Sequence, residues 1–190
     1  MLPRANIHPW KLREAARCFH QGGILAYPTE AIYGLGCDPL NWHAVQRLLL
    51  LKQRPVEKGL ILIAANYEQL RPFIKPLSES EMQPVLTSWP GPNTWLLPAA
   101  DNLPYWLRGR HKTLAVRVTD HPIASALSLA CDSPLVSTSA NISTRAPAVN
   151  STQVRDRLKQ MADCVIHGPT GGRNSPSTIR DAATGSVIRG

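Results

Sequence analysis

The stretch that decides the fold covers residues 41–64 and reads NWHAVQRLLLLKQRPVEKGLILIA. Asn41 can cap a helix from Trp42 to about Leu51, because its side chain can accept a hydrogen bond from the first helical turn. The apolar run Leu60–Ala64 has the length of a strand and is typical of one buried on both faces. A helix followed by a buried strand is a unit of α/β proteins, so this stretch predicts that fold class.

The same alternation of helical and extended patterns continues along the chain. Apolar spacing predicts further helices over residues 10–21, 78–88, 120–130 and 151–161, with Asp120 as the expected cap of the third. Short apolar runs predict further strands near residues 24–27, 95–97, 114–118, 135–137, 164–166, 178–179 and 187–188. No repeat or break in composition marks a second domain. We therefore expect residues 1–190 to form a single α/β domain, with a twisted, mostly buried sheet flanked by helices.

The composition is that of a globular protein, with 43% hydrophobic and 18% charged residues among 190. No apolar run approaches the roughly 20 residues that span a bilayer. Residues 1–4 lack the pattern of a signal peptide, so we expect a soluble, cytoplasmic protein without membrane association. The four cysteines, Cys18, Cys37, Cys131 and Cys164, form no C-x-x-C pair, which favours free thiols over a structural zinc site.

The net charge is strongly positive, at +8, with a pI near 9.7. Such an excess favours anionic partners, such as nucleic acids or nucleotide phosphates. Basic residues concentrate in two places, Arg108–Arg117 (Arg108, Arg110, His111, Lys112 and Arg117) and residues 145–159 (Arg145, Arg155, Arg157 and Lys159). Each concentration either contacts an anion or forms a solvated face, and composition alone leaves both interpretations open.

Neither of the usual glycine-rich phosphate-binding signatures is present. The segment Lys52-Gln53-Arg54-Pro55 offers another device, with Lys58 nearby. Pro55 disfavours helix at Arg54, so Lys52 and Arg54 are expected to project to one side of an extended segment. Two cations placed in this way can clamp a polyphosphate. The alternative is that they only stabilise the carboxyl end of the preceding helix.

Polar residues also gather where predicted strands end. The segment Ser137–Asn141 places hydroxyl and amide groups after an apolar strand, where α/β proteins often bind ligands. Tyr27–Gly36 is expected to form a turn that brings backbone close to a ligand, although a plain connection explains it equally well. On the predicted strand 114–118, Ala115 and Arg117 share a face. A covered Arg117 would need an anionic partner.

Several of these segments together resemble the YrdC/TsaC family, over roughly residues 10–190 and closest to its short stand-alone form. The matching motifs are Pro28-Thr29-Glu30, Lys52-x-Arg54-Pro55, Trp89-Pro90-Gly91-Pro92-x-Thr94, Leu114–Val118, Ser137-x-Ser139-Ala140-Asn141 and Ser177-Thr178. The K-x-R and S-x-N motifs are the most specific. The sequence departs from the family pattern at Ala31, Ile63 and Thr144.

The resemblance implies an α/β fold with a positively charged concave groove, and an enzyme that joins L-threonine, bicarbonate and ATP into threonylcarbamoyl-AMP. It implies ATP contacts from Lys52, Arg54, Lys58, Thr113, Ser139, Asn141 and Arg189. It implies threonine contacts from Thr29, Arg117, Ser137 and Ser177. Lys52 and Arg54 would act in catalysis, with Mg²⁺ accompanying ATP as the cofactor.

The resemblance also implies a role in the t6A modification of tRNA, with tRNA and the TsaD, TsaB and TsaE proteins as partners. One alternative is a binding protein for double-stranded RNA or tRNA that assists maturation without catalysis, which the basic excess supports. Another is the handling of carbamoyl phosphate, since related domains occur in hydrogenase-maturation carbamoyltransferases.

Overall fold

The computed structural model describes residues 7–141, 146–157, 161–173, 175 and 177–189, apart from the side chain of Arg157. Its α-helices are α1 Pro9–His20, α2 Trp42–Lys52, α3 Tyr67–Leu70, α4 Glu79–Thr87, α5 Tyr105–Arg108, α6 Pro122–Ala130 and α7 Ser151–Arg157. Its strands are β1 Leu25–Pro28, β2 Tyr33–Gly36, β3 Ile61–Ala64, β4 Asn93–Pro98, β5 Thr113–Val118, β6 Leu135–Ser139, β7 Cys164–Val165, β8 Thr178–Asp181 and β9 Val187–Arg189. Among these helices, none is long and apolar enough to cross a bilayer.

The strands of the described residues form one sheet in the order β7-β1-β2-β6-β3-β5-β4-β8-β9. Three neighbouring pairs are parallel (β1 with β7, β3 with β5, and β4 with β8), and the other five are antiparallel. The prediction of an α/β fold with a large sheet flanked by helices is confirmed, and the sheet is mixed.

The two faces of the sheet carry separate apolar cores because successive side chains of a strand point to opposite faces. On one face, α1 and α6 cover the half that contains β1 and the ends of β3 and β6. This core consists of Ala15, Phe19, Leu25, Tyr27, Ile63, Ile123, Ala124, Leu127, Cys131, Leu135 and Ile166. A larger core that includes Ala26, Leu62 and Val136 lies on the opposite face.

The helices leave the other half of the first face open. Ile61 pairs in register with Ala115 on β5 and with Ser137 on β6. These residues lie two positions from Ile63, Arg117 and Leu135 on their strands, and therefore on the same face. They form the floor of a concave surface beside the edge of α6.

The predicted turn Tyr27–Gly36 is wrong in its second half, because Tyr33–Gly36 is a strand. β1 and β2 form an antiparallel pair in which Tyr27 faces Gly34. A Cβ atom on Gly36 would lie 2.1 Å from the main-chain oxygen of Val136. The glycine is therefore required by the close approach of β6 rather than by a turn.

Three other local predictions need correction. α6 is capped by His121, whose side chain accepts a hydrogen bond from Ala124 N, and not by Asp120. β6 extends to Ser139, so part of the S-x-N motif lies within the strand. Lys52 is the last residue of α2 and Gln53 adopts a left-handed conformation (φ 48°), so the segment is a helix end rather than extended. The predicted helix 151–161 extends into residues 158–160, which lie outside the described residues.

Candidate active site

A cavity of about 690 Å³ lies on the open half of the sheet. Its floor comes from β3, β5 and β6, and its walls come from the end of α2, the segment after β1, and the β8–β9 hairpin. All eleven residues that the sequence predicts for a site line it: Thr29, Lys52, Arg54, Lys58, Thr113, Arg117, Ser137, Ser139, Asn141, Ser177 and Arg189. The fold thus brings the K-x-R and S-x-N motifs to one place.

One end of this cavity, which we name the cationic end, contains Lys52, Arg54, Lys58 and Arg189 with Ser139 and Asn141. Lys52 Nζ donates hydrogen bonds to Ser139 O, Asn141 O and Asn141 Oδ1, each over 2.6 Å. Ser139 Oγ donates to the same Asn141 Oδ1 over 2.6 Å. Burial, and then the charge of Arg54, lower the pKa of Lys52 to about 8. Lys52 therefore holds the S-x-N segment in place as a buried cation.

Arg54 is fixed beside Lys52 by the main chain that follows it. Its Nε and Nη2 atoms donate to Gly59 O over 3.2 and 2.8 Å. Burial, and then the charge of Arg189, lower the pKa of Arg54. Like charges so close together repel one another, and an anion that entered between them would relieve this repulsion.

The other end, which we name the ion-pair end, is built around Arg117 and Glu30. Arg117 Nη2 lies 3.2 Å from Glu30 Oε2, and Thr119 Oγ1 donates to Glu30 Oε1 over 2.6 Å. Burial acts to raise the pKa of Glu30, but the Arg117 charge and the Thr119 hydrogen bond outweigh it and hold this pKa below its usual value. The expectation that a covered Arg117 needs an anionic partner is met by Glu30.

Residues 171–173, which follow β7, form main-chain hydrogen bonds to the ion-pair end. Gly171 N donates to Thr29 O, and Arg173 N donates to Glu30 O, both over 3.0 Å. A Cβ atom on Gly171 would lie 2.9 Å from Glu30 O, so a glycine permits this close approach. Thr29 Oγ1 donates to Ile32 O over 2.7 Å and closes the turn between β1 and β2.

The sequence profile Sua5_yciO_yrdC, described as telomere recombination, matches residues 17–190. The chain belongs to the Sua5/YciO/YrdC family. A protein of Stutzerimonas stutzeri strain A1501 called threonylcarbamoyl-AMP synthase is 49% identical over 183 residues, which cover 96% of this chain and 98% of that protein.

Two solved structures support the membership in the Sua5/YciO/YrdC family. P. abyssi Sua5 complexed with L-threonine has a TM-score of 0.87 at 34% identity, over 94% of this chain and 52% of that protein. E. coli YciO has a TM-score of 0.86 at 27% identity, over 98% of this chain and 91% of that one.

The departures from the family pattern lie in different environments. Ala31 lines the cavity. Ile63 is fully buried in the core beneath α6, and the cavity lining does not include it. Thr144 lies outside the described residues. The chain therefore differs from the pattern at the cavity itself through Ala31.

Some residues of the cavity escaped prediction from the sequence. Glu30 is quoted within the family motif but was not assigned to the site, and its position after a buried strand was the available signal. Arg108 and His111, from the first basic concentration, also line the cavity, whereas Arg110 and Lys112 are not part of its lining. Arg145, Lys159 and the side chain of Arg157 lie outside the described residues.

Proposed function

We propose that this chain synthesises threonylcarbamoyl-AMP from L-threonine, bicarbonate and ATP, with release of pyrophosphate. The observation that carries the proposal is the convergence of the K-x-R and S-x-N motifs on one cavity, joined by three 2.6 Å hydrogen bonds from Lys52. The synthase from S. stutzeri, 49% identical over almost the whole of both chains, supports it. The reaction is the transfer of a nucleotidyl group, so the class we propose is a nucleotidyltransferase.

The cationic end is suited to the triphosphate of ATP. Among the described residues, the lysine and arginine side chains in the cavity lining outnumber the acids, of which Glu30 is the single member. We assign Arg54, Lys58 and Arg189 to the phosphates, because a guanidinium can hold phosphate oxygens through two donors. Lys52 adds charge and fixes Ser139 and Asn141, which together with Thr113 we assign to the rest of the nucleotide.

The ion-pair end is suited to L-threonine. Arg117 offers a guanidinium for the α-carboxylate, and Thr29, Ser137 and Ser177 offer hydroxyl groups in the lining of the same cavity. Ser177 Oγ already accepts a hydrogen bond from Thr94 Oγ1 over 3.0 Å, which orients it. The support for this assignment is that all four residues line the same cavity.

The chemistry requires alignment and charge neutralisation more than an acid–base pair. Bicarbonate takes up a proton and loses water to give CO₂. The amine of threonine, after loss of its ammonium proton, adds to CO₂ and releases a second proton to solvent, which gives a carbamate anion. A carbamate oxygen then attacks the α-phosphorus of ATP, and the bond from this phosphorus to the bridging oxygen breaks to release pyrophosphate. Because this nucleophile is already anionic, the reaction needs no activating base. The described lining offers one carboxylate, which is paired with Arg117. We therefore propose that Mg²⁺ enters with ATP, bound to phosphate oxygens and water.

One assay tests the proposal directly. Purified protein is incubated with ATP, Mg²⁺, radiolabelled bicarbonate and L-threonine, and the products are separated to find a labelled adenylate. We expect a labelled product that requires threonine and that appears together with pyrophosphate. Absence of this product in protein that binds RNA would favour the non-catalytic alternative.

The product would serve the t6A modification of tRNA, with tRNA and the TsaD, TsaB and TsaE proteins as proposed partners. An unstable acyl-adenylate needs a nearby acceptor, which is the chemical reason for such partners. Binding to tRNA is compatible with the enzyme activity, because the basic side chains outside the cavity remain available to phosphates. A cytoplasmic location stays a prediction.

A further inference from the structure

The hydroxyl group of Tyr33 links β2 to a segment that lies far away in sequence. It donates a hydrogen bond to Gly168 O over 2.6 Å and accepts one from Gly168 N over 3.1 Å. Ser151, the first residue of α7, also interacts with this hydroxyl. Tyr33 is fully buried, and burial raises the pKa of its phenol above the ordinary value, so the phenol keeps the proton that it donates. The hydroxyl thus attaches both main-chain polar groups of Gly168 to the sheet.

Gly168 begins a segment, residues 168–173, that lies in close contact with α6. A Cβ atom on Gly168 would lie 2.2 Å from Ile123 Cδ1, so a glycine permits this approach. His121 Nε2 lies 3.1 Å from Pro169 O. Tyr33 and His121 together anchor the start of the 168–173 segment, and Tyr33 does so with two hydrogen bonds.

The far end of the 168–173 segment contacts the ion-pair end of the cavity. Gly171 N donates to Thr29 O, and Arg173 N donates to Glu30 O, both over 3.0 Å. Thr29 is one of the residues that we assign to L-threonine. Glu30 pairs with Arg117, which we assign to the carboxylate of L-threonine. The placement of these groups therefore depends on the segment, and the segment depends on its anchor at Tyr33.

The main chain of Tyr33 supports the other end of the cavity, independently of its hydroxyl. Tyr33 O accepts a hydrogen bond from Ala140 N, within the S-x-N motif, and Tyr33 N donates to Ala148 O, both over 2.8 Å. A substitution that removes only the hydroxyl keeps these main-chain bonds. The contribution of the hydroxyl to the ion-pair end can therefore be measured with the cationic end intact.

We propose that Tyr33 is a positioning residue for L-threonine, which acts through the 168–173 segment on Thr29 and on the Glu30–Arg117 pair. Tyr33 belongs to the cavity lining, but its side chain is fully buried and its hydroxyl is bonded to Gly168, so it acts through other residues. It keeps the L-threonine contacts in one arrangement in the free protein, and binding then does not have to order them. This inference rests on the proposed function, from which it takes L-threonine as the ligand.

Tyr33→Phe tests this role, because it removes the hydroxyl and keeps the ring that packs in the larger core. In the assay of adenylate synthesis, the KM for L-threonine should rise by about tenfold, which lies within the range for two neutral hydrogen bonds. The KM for ATP, and kcat at saturating L-threonine, should change by less than about twofold. Equal changes in both KM values, or an unchanged KM for L-threonine, would overturn the proposal even if the melting temperature falls.

Tyr67→Phe is the matched control for the loss of a tyrosine hydroxyl. Tyr67 is partly buried against the same core as Tyr33 and lies outside the cavity lining. Both of its KM values should equal those of the wild type. A rise in the KM for L-threonine as large as that in Tyr33→Phe would show that the effect is not specific to the 168–173 segment, and would overturn the proposal.

Gly171→Ala tests the same route from its other end, and decides the matter should Tyr33→Phe fail to fold. The added Cβ atom would lie 2.9 Å from Glu30 O and 3.0 Å from Glu30 Cα, so the segment has to move away from Glu30. The KM for L-threonine should again rise by about tenfold, with the KM for ATP unchanged. An unchanged KM for L-threonine would mean that the segment does not position the ion-pair end.

Hydrogen exchange separates failure of this inference from failure of the proposed function, because it needs no substrate. The amides of Gly171 and Arg173 should exchange at least about tenfold faster in Tyr33→Phe than in the wild type, since the segment opens more often without its anchor. A wild type that makes the adenylate, with equal exchange rates and KM values in Tyr33→Phe, keeps the function and overturns the role of Tyr33. A wild type that makes no adenylate removes the proposed function, and with it the role of Tyr33 for L-threonine, whatever the exchange rates.

Discussion

The two ends of the cavity handle charge in opposite ways. At the cationic end, burial lowers the pKa values of Lys52 and Arg54, and the charge of a neighbouring arginine lowers each of them further. At the ion-pair end, Arg117 is balanced by Glu30 at 3.2 Å. The first arrangement is uncompensated until an anion arrives, whereas the second is already compensated in the free protein.

This difference suggests how one cavity would bind a polyanion and a neutral zwitterion at different places. An uncompensated cluster attracts a polyanion strongly and with little regard to its detailed shape. A compensated pair adds no net charge, so it favours a ligand that is itself neutral overall. Under the proposed function, the two substrates would be distinguished by net charge as well as by contacts.

Of the variants considered, Arg54→Ala should reduce the reaction rate the most, through its effect on the cationic end. Arg54 lines the cavity, and its own contacts are two bonds to a single carbonyl, so the loss falls on ligand binding rather than on the fold. Pyrophosphate release should fall by about 10²–10³-fold, as for the removal of a preorganised charged donor. The melting temperature should stay within a few degrees.

Arg108→Ala is the control for this variant. Arg108 also lines the cavity, but its Nη1 donates to main-chain oxygens of its own loop. We expect a small change in rate. Equal losses in both variants would show that total charge matters and position does not, and an unchanged rate in Arg54→Ala would refute the assignment to phosphate.

Asn141→Ala should weaken ligand binding at the cationic end and leave the ion-pair end unchanged. Its Oδ1 accepts hydrogen bonds from both Lys52 and Ser139, so the substitution frees the buried cation from its side-chain anchor. ATP should bind about tenfold more weakly by calorimetry, with L-threonine affinity unchanged. Ser139→Ala should weaken ATP binding less, because Lys52 Nζ lies 3.4 Å from Ser139 Oγ but 2.6 Å from Ser139 O. Unaltered ATP affinity in both variants would remove these residues from the site.

Salt should affect ligand binding at the two ends of the wild-type cavity to different extents. Raising the ionic strength from about 0.01 M to about 1 M shortens the screening length from roughly 30 Å to 3 Å. ATP affinity should fall severalfold, because its binding end carries net charge. L-Threonine affinity should change less than about twofold, because a neutral zwitterion meets a neutral pair. Parallel salt dependence of the two ligands would contradict the distinction.

Local patterns predicted the five longer helices and the central strands β3, β5 and β6, but not the four-residue helices α3 and α5. The cap at Asn41 and the apolar run Leu60–Ala64 each carry their own signal, and both are found within one residue of the expected bounds. Tyr33–Gly36 was missed because its glycines resemble a turn, whereas Gly36 is required by the close approach of β6, which lies far away in sequence. A contact of that kind leaves no periodic pattern in the segment itself.

The sequence predicted which residues belong to the site better than it predicted the contacts between them. Lys52, Arg54, Ser139 and Asn141 were placed in one site because of the resemblance to a family. No local pattern shows that these two segments will meet. The resemblance could not show that the Lys52 ammonium donates hydrogen bonds to the S-x-N segment. Glu30 was left out for the same reason, because its importance arises from Arg117 on a different strand.

A change of pH should weaken the cationic end modestly. Burial and Arg54 lower the pKa of Lys52 to about 8, so above this pH the free protein increasingly loses the charge and one of three donors. ATP affinity should fall severalfold as the pH rises from about 7 to about 9, as measured by calorimetry. Lys52→Arg keeps its charge over this range and should show a flatter profile. Identical profiles would mean that Lys52 keeps its proton throughout.

The smallest expected effect lies beneath the ion-pair end, at His121. Its Nδ1 accepts from Ala124 N, so Nε2 carries the proton and donates to Pro169 O over 3.1 Å. The ring is thus neutral, and burial lowers the pKa of His121 below its ordinary value of 6.5. Below that pH the unfolded chain binds a proton that the folded chain does not, so the free energy of unfolding should decrease as the pH falls.

His121→Asn isolates this contribution, because asparagine can cap α6 but does not titrate. Between about pH 7.5 and 5.5 the variant should lose less stability than the wild type, by at most about 1 kcal/mol, which is the scale of one helix cap. Denaturant unfolding at both pH values measures the difference. Equal losses would mean that His121 takes up its proton as readily in the folded chain as in the unfolded one.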